Sequence, residues 1–103
     1  MRSLVKDLTR QLVVAGQWVS TGASGYFSRE MNVSMYKSAV GVHEMTFHDL
    51  KVVNSITANV SGGLQGYAVT NISGGNKVIV YTYRFTGEAQ DWHFTFEAEG
   101  IAK

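Results

Sequence analysis

Towards the C-terminal end, large side chains fall on every second residue: Ile79, Tyr81, Tyr83 and Phe85, then Trp92, Phe94, Phe96 and Ala98. A period of two is the signature of a strand with one apolar face. Folding the two runs about Gly87-Glu88-Ala89-Gln90 sets Phe85 opposite Trp92, Tyr83 opposite Phe94, Tyr81 opposite Phe96 and Ile79 opposite Ala98. That register gathers the large residues on one side of an antiparallel hairpin. Upstream, Gly74-Gly75 reads as a two-residue hairpin loop that brings Gly66 opposite Tyr83, Ala68 opposite Tyr81 and Thr70 opposite Ile79. Ser61-Gly62-Gly63 reads as a further hairpin loop, with Val60 against Leu64, Ala58 against Gly66 and Ile56 against Ala68. Gly66 and Ala68 then form a shallow trough beside the tall rings.

Other patterning completes the layout. Leu4, Leu8, Leu12 and Ala15 recur at helical spacing, with Ser3 as N-cap and Gly16 as stop, which predicts a short amphipathic helix. Met31, Val33 and Met35 alternate with polar residues, and a turn near Lys37 to Gly41 returns the chain through His43, Met45 and Phe47. The expected pairs are Met35 with His43, Val33 with Met45, Met31 with Phe47 and Arg29 with Asp49. Apolar parity is odd up to Phe47 and even from Ile56 to Val60, so one long bent strand with a bulge near residues 50 to 54 is expected. The predicted fold is α+β: one N-terminal helix packed on a bent antiparallel β-meander of about five strands, in a single domain over residues 1–103.

Composition narrows the chemistry. The chain has 103 residues, no Cys and no Pro, so disulfides, thiolate metal sites and Cys nucleophiles are excluded. Nine Lys and Arg against eight Asp and Glu leave a formal charge of +1, too small to draw the protein to nucleic acid or an anionic membrane. Charged residues are only 17%, below the usual ~25%, which suggests surface covered by a partner. No apolar run approaches the roughly 18 residues of a membrane span. Arg2, Lys6, Asp7 and Arg10 interrupt the start, so a cytoplasmic chain without a signal peptide is expected.

Catalytic signatures are weak. His43-Glu44-Met45-Thr46-Phe47-His48-Asp49 resembles a zinc-protease motif only superficially, because its histidines are five apart and alternate faces along a strand. No metal and no cofactor are expected. Glu30 opposite His48, and Arg84 opposite His93 near Asp91, read as cross-strand surface pairs. Ser20-Thr21-Gly22-Ala23-Ser24-Gly25 lacks the Lys of a phosphate-binding loop and reads as a plain loop.

One feature of the outer sheet face stands out. Tyr67, Val69, Val78 and Val80 are expected to form a contiguous apolar patch where a solvated face would be polar. The function expected from this is a non-enzymatic protein-interaction module, homo-oligomeric, that binds through those four residues. A second expectation is a small apolar-ligand pocket between helix and sheet, lined by His43, Gly66, Ala68, Tyr81, Tyr83 and Trp92, with His43 as acid or base. A third is single-strand nucleic-acid binding by stacking on Tyr81, Tyr83, Phe94 and Phe96. It is disfavoured because the one basic cluster, Arg2, Lys6 and Arg10, lies on the predicted helix.

Overall fold

The computed structural model describes residues 10–61, 63 and 65–103, and every regular element among them is a strand. β1 (Gln11–Ser20) and β2 (Gly25–Phe27) form a hairpin, as do β3 (Val33–Ala39) and β4 (Val42–Phe47). β5 (Leu50–Val60) follows alone, β6 (Gly66–Gly74) and β7 (Lys77–Arg84) make a third hairpin, and β8 (Phe94–Ala102) ends the series. Two antiparallel four-stranded sheets result, ordered β2-β1-β8-β5 and β3-β4-β7-β6. The core lies between them. Trp18, Leu50, Val53, Phe94, Phe96 and Ala98 of the first sheet meet Met45, Phe47, Val78 and Val80 of the second. Edge-to-face contacts cross the interface, Phe47 to Phe96 at 5.9 Å and His43 to Phe94 at 4.8 Å between ring centroids. Each large side chain buried there contributes about 1.5–3 kcal/mol.

The fold is therefore all-β, and the α+β expectation is corrected. Ser3, Leu4 and Leu8 of the predicted helix lie outside the described residues. Its remainder is strand: Leu12, Val14, Gly16 and Trp18 share the inner face of β1 and pair with Gly100, Ala98, Phe96 and Phe94 of β8. The segment from Gln11 to Ser20 holds three valines and a tryptophan, residues that suit a pleated, half-buried surface. At two of these pairs a large side chain faces a glycine, Leu12 beside Gly100 and Phe96 beside Gly16.

The aromatic hairpin is also corrected. β7 and β8 belong to different sheets, with β7 between β4 and β6 and β8 between β1 and β5. The chain does turn back after β7, but briefly: Gly87 N–H donates to Arg84 O at 2.8 Å and Gln90 N–H to Thr82 O at 3.1 Å. Residues 91–93 then cross to the other sheet. Phe94, Phe96 and Ala98 do share the inner face of their strand, whereas Tyr81 and Tyr83 point the other way, towards solvent.

That inversion comes from a slip of one residue at the β6–β7 turn. The two turn residues are Gly75-Asn76 rather than Gly74-Gly75, and Gly74 opposes Lys77 beyond a register shift after Ile72. Gly75 has φ +58°, the positive value that a two-residue turn beginning with Gly requires. The observed pairs are Gly66 with Arg84, Ala68 with Thr82, Thr70 with Val80 and Ile72 with Val78. A shift of one residue turns a whole strand over. It sends Val78, Val80 and Thr82 into the core, fully buried, and turns Ile79, Tyr81 and Tyr83 outward.

The remaining expectations fare unevenly. Val33, Met35, His43, Met45 and Phe47 do share the inner face, but the register differs by two residues, Met35 facing Met45 and Val33 facing Phe47. A turn at His48-Asp49 separates β4 from β5 and carries the chain to the opposite sheet, so there is no single long strand. The irregularity near residues 50 to 54 is present, as two register shifts in the β5–β8 ladder, Leu50/Val52 and Val53/Ser55. β5 pairs with β8 and not with β6, and the Val60–Leu64 pair lies outside the described residues.

Candidate functional site

Two places in the sandwich concentrate side chains that the core does not require. The first is the outer face of the second sheet. The ladders place Tyr67 beside Tyr83, Val69 beside Tyr81, Tyr81 beside Val42, and Glu44 between Ile79 and Tyr36. Tyr67 and Tyr83 stack with centroids 5.2 Å apart and planes 29° apart. Tyr36, Val69 and Tyr67 remain 66%, 46% and 40% exposed, so the rings and the valine are open to solvent. Four of the five tyrosines lie on this face, while Phe27, Phe47, Phe94 and Phe96 turn inward. That partition fits the chemistry, since a phenol offers an apolar ring and a hydroxyl that stays satisfied in water. Among the described positions of the face, charge is limited to Glu44 and Lys77.

The first sheet's outer face is different in kind. Ser55, Thr57 and Asn59 of β5, Thr95, Glu97 and Glu99 of β8, and Val13, Ala15 and Gln17 of β1 make it mainly polar. It is an ordinary solvated face.

The second place is a buried polar cluster at one end of the second sheet. Lys37 lies on the inner face of β3, opposite His43 in the ladder. Its Nζ donates to the Asp91 carboxylate and to Ala39 O, the latter at 2.8 Å. The Gly41 N–H donates to the same Asp91 Oδ1 at 2.8 Å, tying the crossover to the β3–β4 turn. Burial opposes ionisation of Asp91, but the hydrogen bonds from Lys37 and Gly41 outweigh it and hold the carboxyl below its ordinary pKa. His43 is fully buried, and its Nδ1–H donates to Val80 O at 2.9 Å. Its Nε2 has no partner among the described residues. Burial lowers its pKa to about 4, with the Val80 hydrogen bond acting against the shift and the Lys37 charge adding to it.

Measured against expectation, Tyr67 and Val69 lie on the exposed outer face, while Val78 and Val80 are in the core and leave their places to Ile79, Tyr81 and Tyr83. The six residues of the expected ligand pocket are not brought together. His43 is interior, Tyr81 and Tyr83 face outward, and Trp92 closes over Gly66 with Nε1–H donating to Tyr83 O at 3.1 Å. A Cβ on Gly66 would lie 2.8 Å from Trp92 Cδ1, so the indole, not a helix, fills that end of the trough beside Ala68. Nor are the two surface pairs formed. Ser34 Oγ lies 2.6 Å from His48 Nε2, Arg84 pairs with Glu88 at 3.5 Å, and His93 Nδ1 accepts from Ser20 N–H at 2.9 Å.

Lys37, Asp91, Tyr36 and Ile79 were not anticipated as site residues. Lys37 shares the odd parity of Val33 and Met35, which was the available signal that it points inward. Nothing local marks Asp91 as its partner 54 positions away. Among the described residues no three His, Asp or Glu side chains could hold a metal ion, and no helix is long and apolar enough to cross a membrane. Neither a family model nor a curated protein nor a solved structure matches the chain.

Proposed function

We propose that the protein is a non-enzymatic interaction module that assembles with a second copy of itself through the tyrosine-bearing outer face of the second sheet. The observation that carries this reading is the segregation of Tyr36, Tyr67, Tyr81 and Tyr83, with Val42, Val69 and Ile79, onto one solvent-facing surface. Tyrosine is enriched and charge depleted at the centres of protein interfaces, and this face carries both marks. Symmetric pairing of one face with its copy is the commonest closed assembly, and a net charge of +1 opposes it little.

The sheet edges support a face over an edge as the contact. β2 has only three residues, β5 carries two register shifts, and β6 is shifted near its end. β3 turns Lys37 inward and breaks register between Lys37 and Ala39. Short strands, bulges and inward charges are the devices that block edge-to-edge pairing.

Light scattering across a concentration series tests the proposal. The wild-type chain is expected to show a dimer mass, and the double variant Val69→Glu, Tyr81→Glu a monomer mass with an unchanged circular dichroism spectrum. A wild-type chain that stays monomeric at high concentration overturns the reading, as does a variant that dimerises equally well. Salt-sensitive capture of a single-stranded oligonucleotide on Tyr81 and Tyr83 would instead favour nucleic-acid stacking.

A further inference from the structure

We propose that Lys37 and Asp91 become joined by an amide bond between Lys37 Nζ and Asp91 Cγ, a covalent staple from β3 to the crossover that enters β8. The two side chains are only 10% and 12% exposed and are already in contact across 54 positions of sequence. Holding both reactants in one geometry converts an unfavourable encounter into an intramolecular step. The Gly41 N–H, 2.8 Å from Asp91 Oδ1, holds in place the oxygen that takes the proton and departs as water. The Ala39 carbonyl, 2.8 Å from Nζ, holds the nitrogen from its other side.

The resting form is the ion pair, and the reaction leaves it through a proton transfer along the existing hydrogen bond. One ammonium proton passes to the carboxylate, which gives a neutral amine and a carboxylic acid. The Lys37 and Gly41 hydrogen bonds favour the carboxylate, so this transfer is uphill and the later loss of water draws it forward. The amine lone pair then forms the C–N bond at Cγ. As the tetrahedral carbon collapses, the C–OH bond breaks and the hydroxyl takes a second nitrogen proton, leaving as water. An ammonium and a carboxylate thus become one secondary amide and one water, with no external reagent. The small pocket lined by Ala23, Ser38, Ala39 and Val40 beside the pair gives the water an exit.

Intact-mass spectrometry of the folded chain decides the matter. The expected mass is one water below the sum of the residues, and a protease digest should contain a branched peptide joining the segments around Lys37 and Asp91. Lys37→Arg keeps the positive charge but should restore the full mass. A wild-type chain of full mass after long incubation at neutral pH overturns the proposal. So does a water loss that maps to any other site, such as an aspartyl succinimide.

Discussion

At the scale of single residues, His43 and Val80 show how much depends on which way a side chain points. His43 is buried and neutral near pH 7, with a folded pKa of about 4 against an unfolded value of 6.5. Between those two values the unfolded chain binds a proton that the folded chain refuses. Stability is therefore complete above about pH 6.5 and declines as the pH falls towards 4, by up to about 3 kcal/mol from this group. Urea titrations at a series of pH values should show that decline, and His43→Leu should flatten it. An unchanged slope would mean that another group dominates. Val80 was an expected contact residue, yet it has no exposed surface. Val80→Glu should cost about 3–5 kcal/mol by forcing an unpaired carboxylate into the core, a loss of fold read by denaturation rather than a selective loss of assembly. A variant that stays stable while losing its partner would put Val80 back on the surface.

At the scale of elements, the decisive feature is the β6–β7 turn. Gly74-Gly75-Asn76 offers two overlapping two-residue loops, and the choice between them inverts the strand that follows. The observed choice places Gly75 at φ +58° and Gly74 at φ +140°, with Asn76 left in an ordinary conformation. Gly75→Ala should therefore cost about 1–2 kcal/mol, because a Cβ disfavours the left-handed region, and Gly75→Asn should cost less. Equal stability of all three by chemical denaturation would argue against this turn. The early hairpin shows the opposite case. Its alternation placed Val33, Met35, Met45 and Phe47 on one face correctly even though the register was two residues off, because a slip of two preserves parity. Between Gln11 and Trp18 the residues fit either period, and pairing with β8 selected the strand.

At the scale of the whole molecule, the chain changes sheet after β2, β4, β5 and β7. That repeated crossing brings Lys37 to Asp91, His43 to Phe94 and Phe47 to Phe96, each pair distant in sequence. It also leaves one outer face polar and the other rich in tyrosine, and the predicted assembly follows from that asymmetry. If the tyrosine face is the contact, amides of β4 and β7 should gain hydrogen-exchange protection with concentration, while those of β1 and β8 should not.

What the amino-acid order determined by itself was local: the strand character of residues 79–84 and 94–98, the inward parity of His43, Met45 and Phe47, and the irregularity near residue 52. It also carried the prospect of an outward apolar surface including Tyr67 and Val69. Only the tertiary structure decided which strands pair, which side of β7 meets the core, and that Tyr81 and Tyr83 face solvent while Val78 and Val80 do not. Alternation specifies that two faces exist but not which is buried, and both faces of β7 are apolar enough to serve. The choice is made by what already fills the interior: Phe47 in the same sheet, with Phe94 and Phe96 across the interface, leaves room for valine and threonine and not for two more large rings.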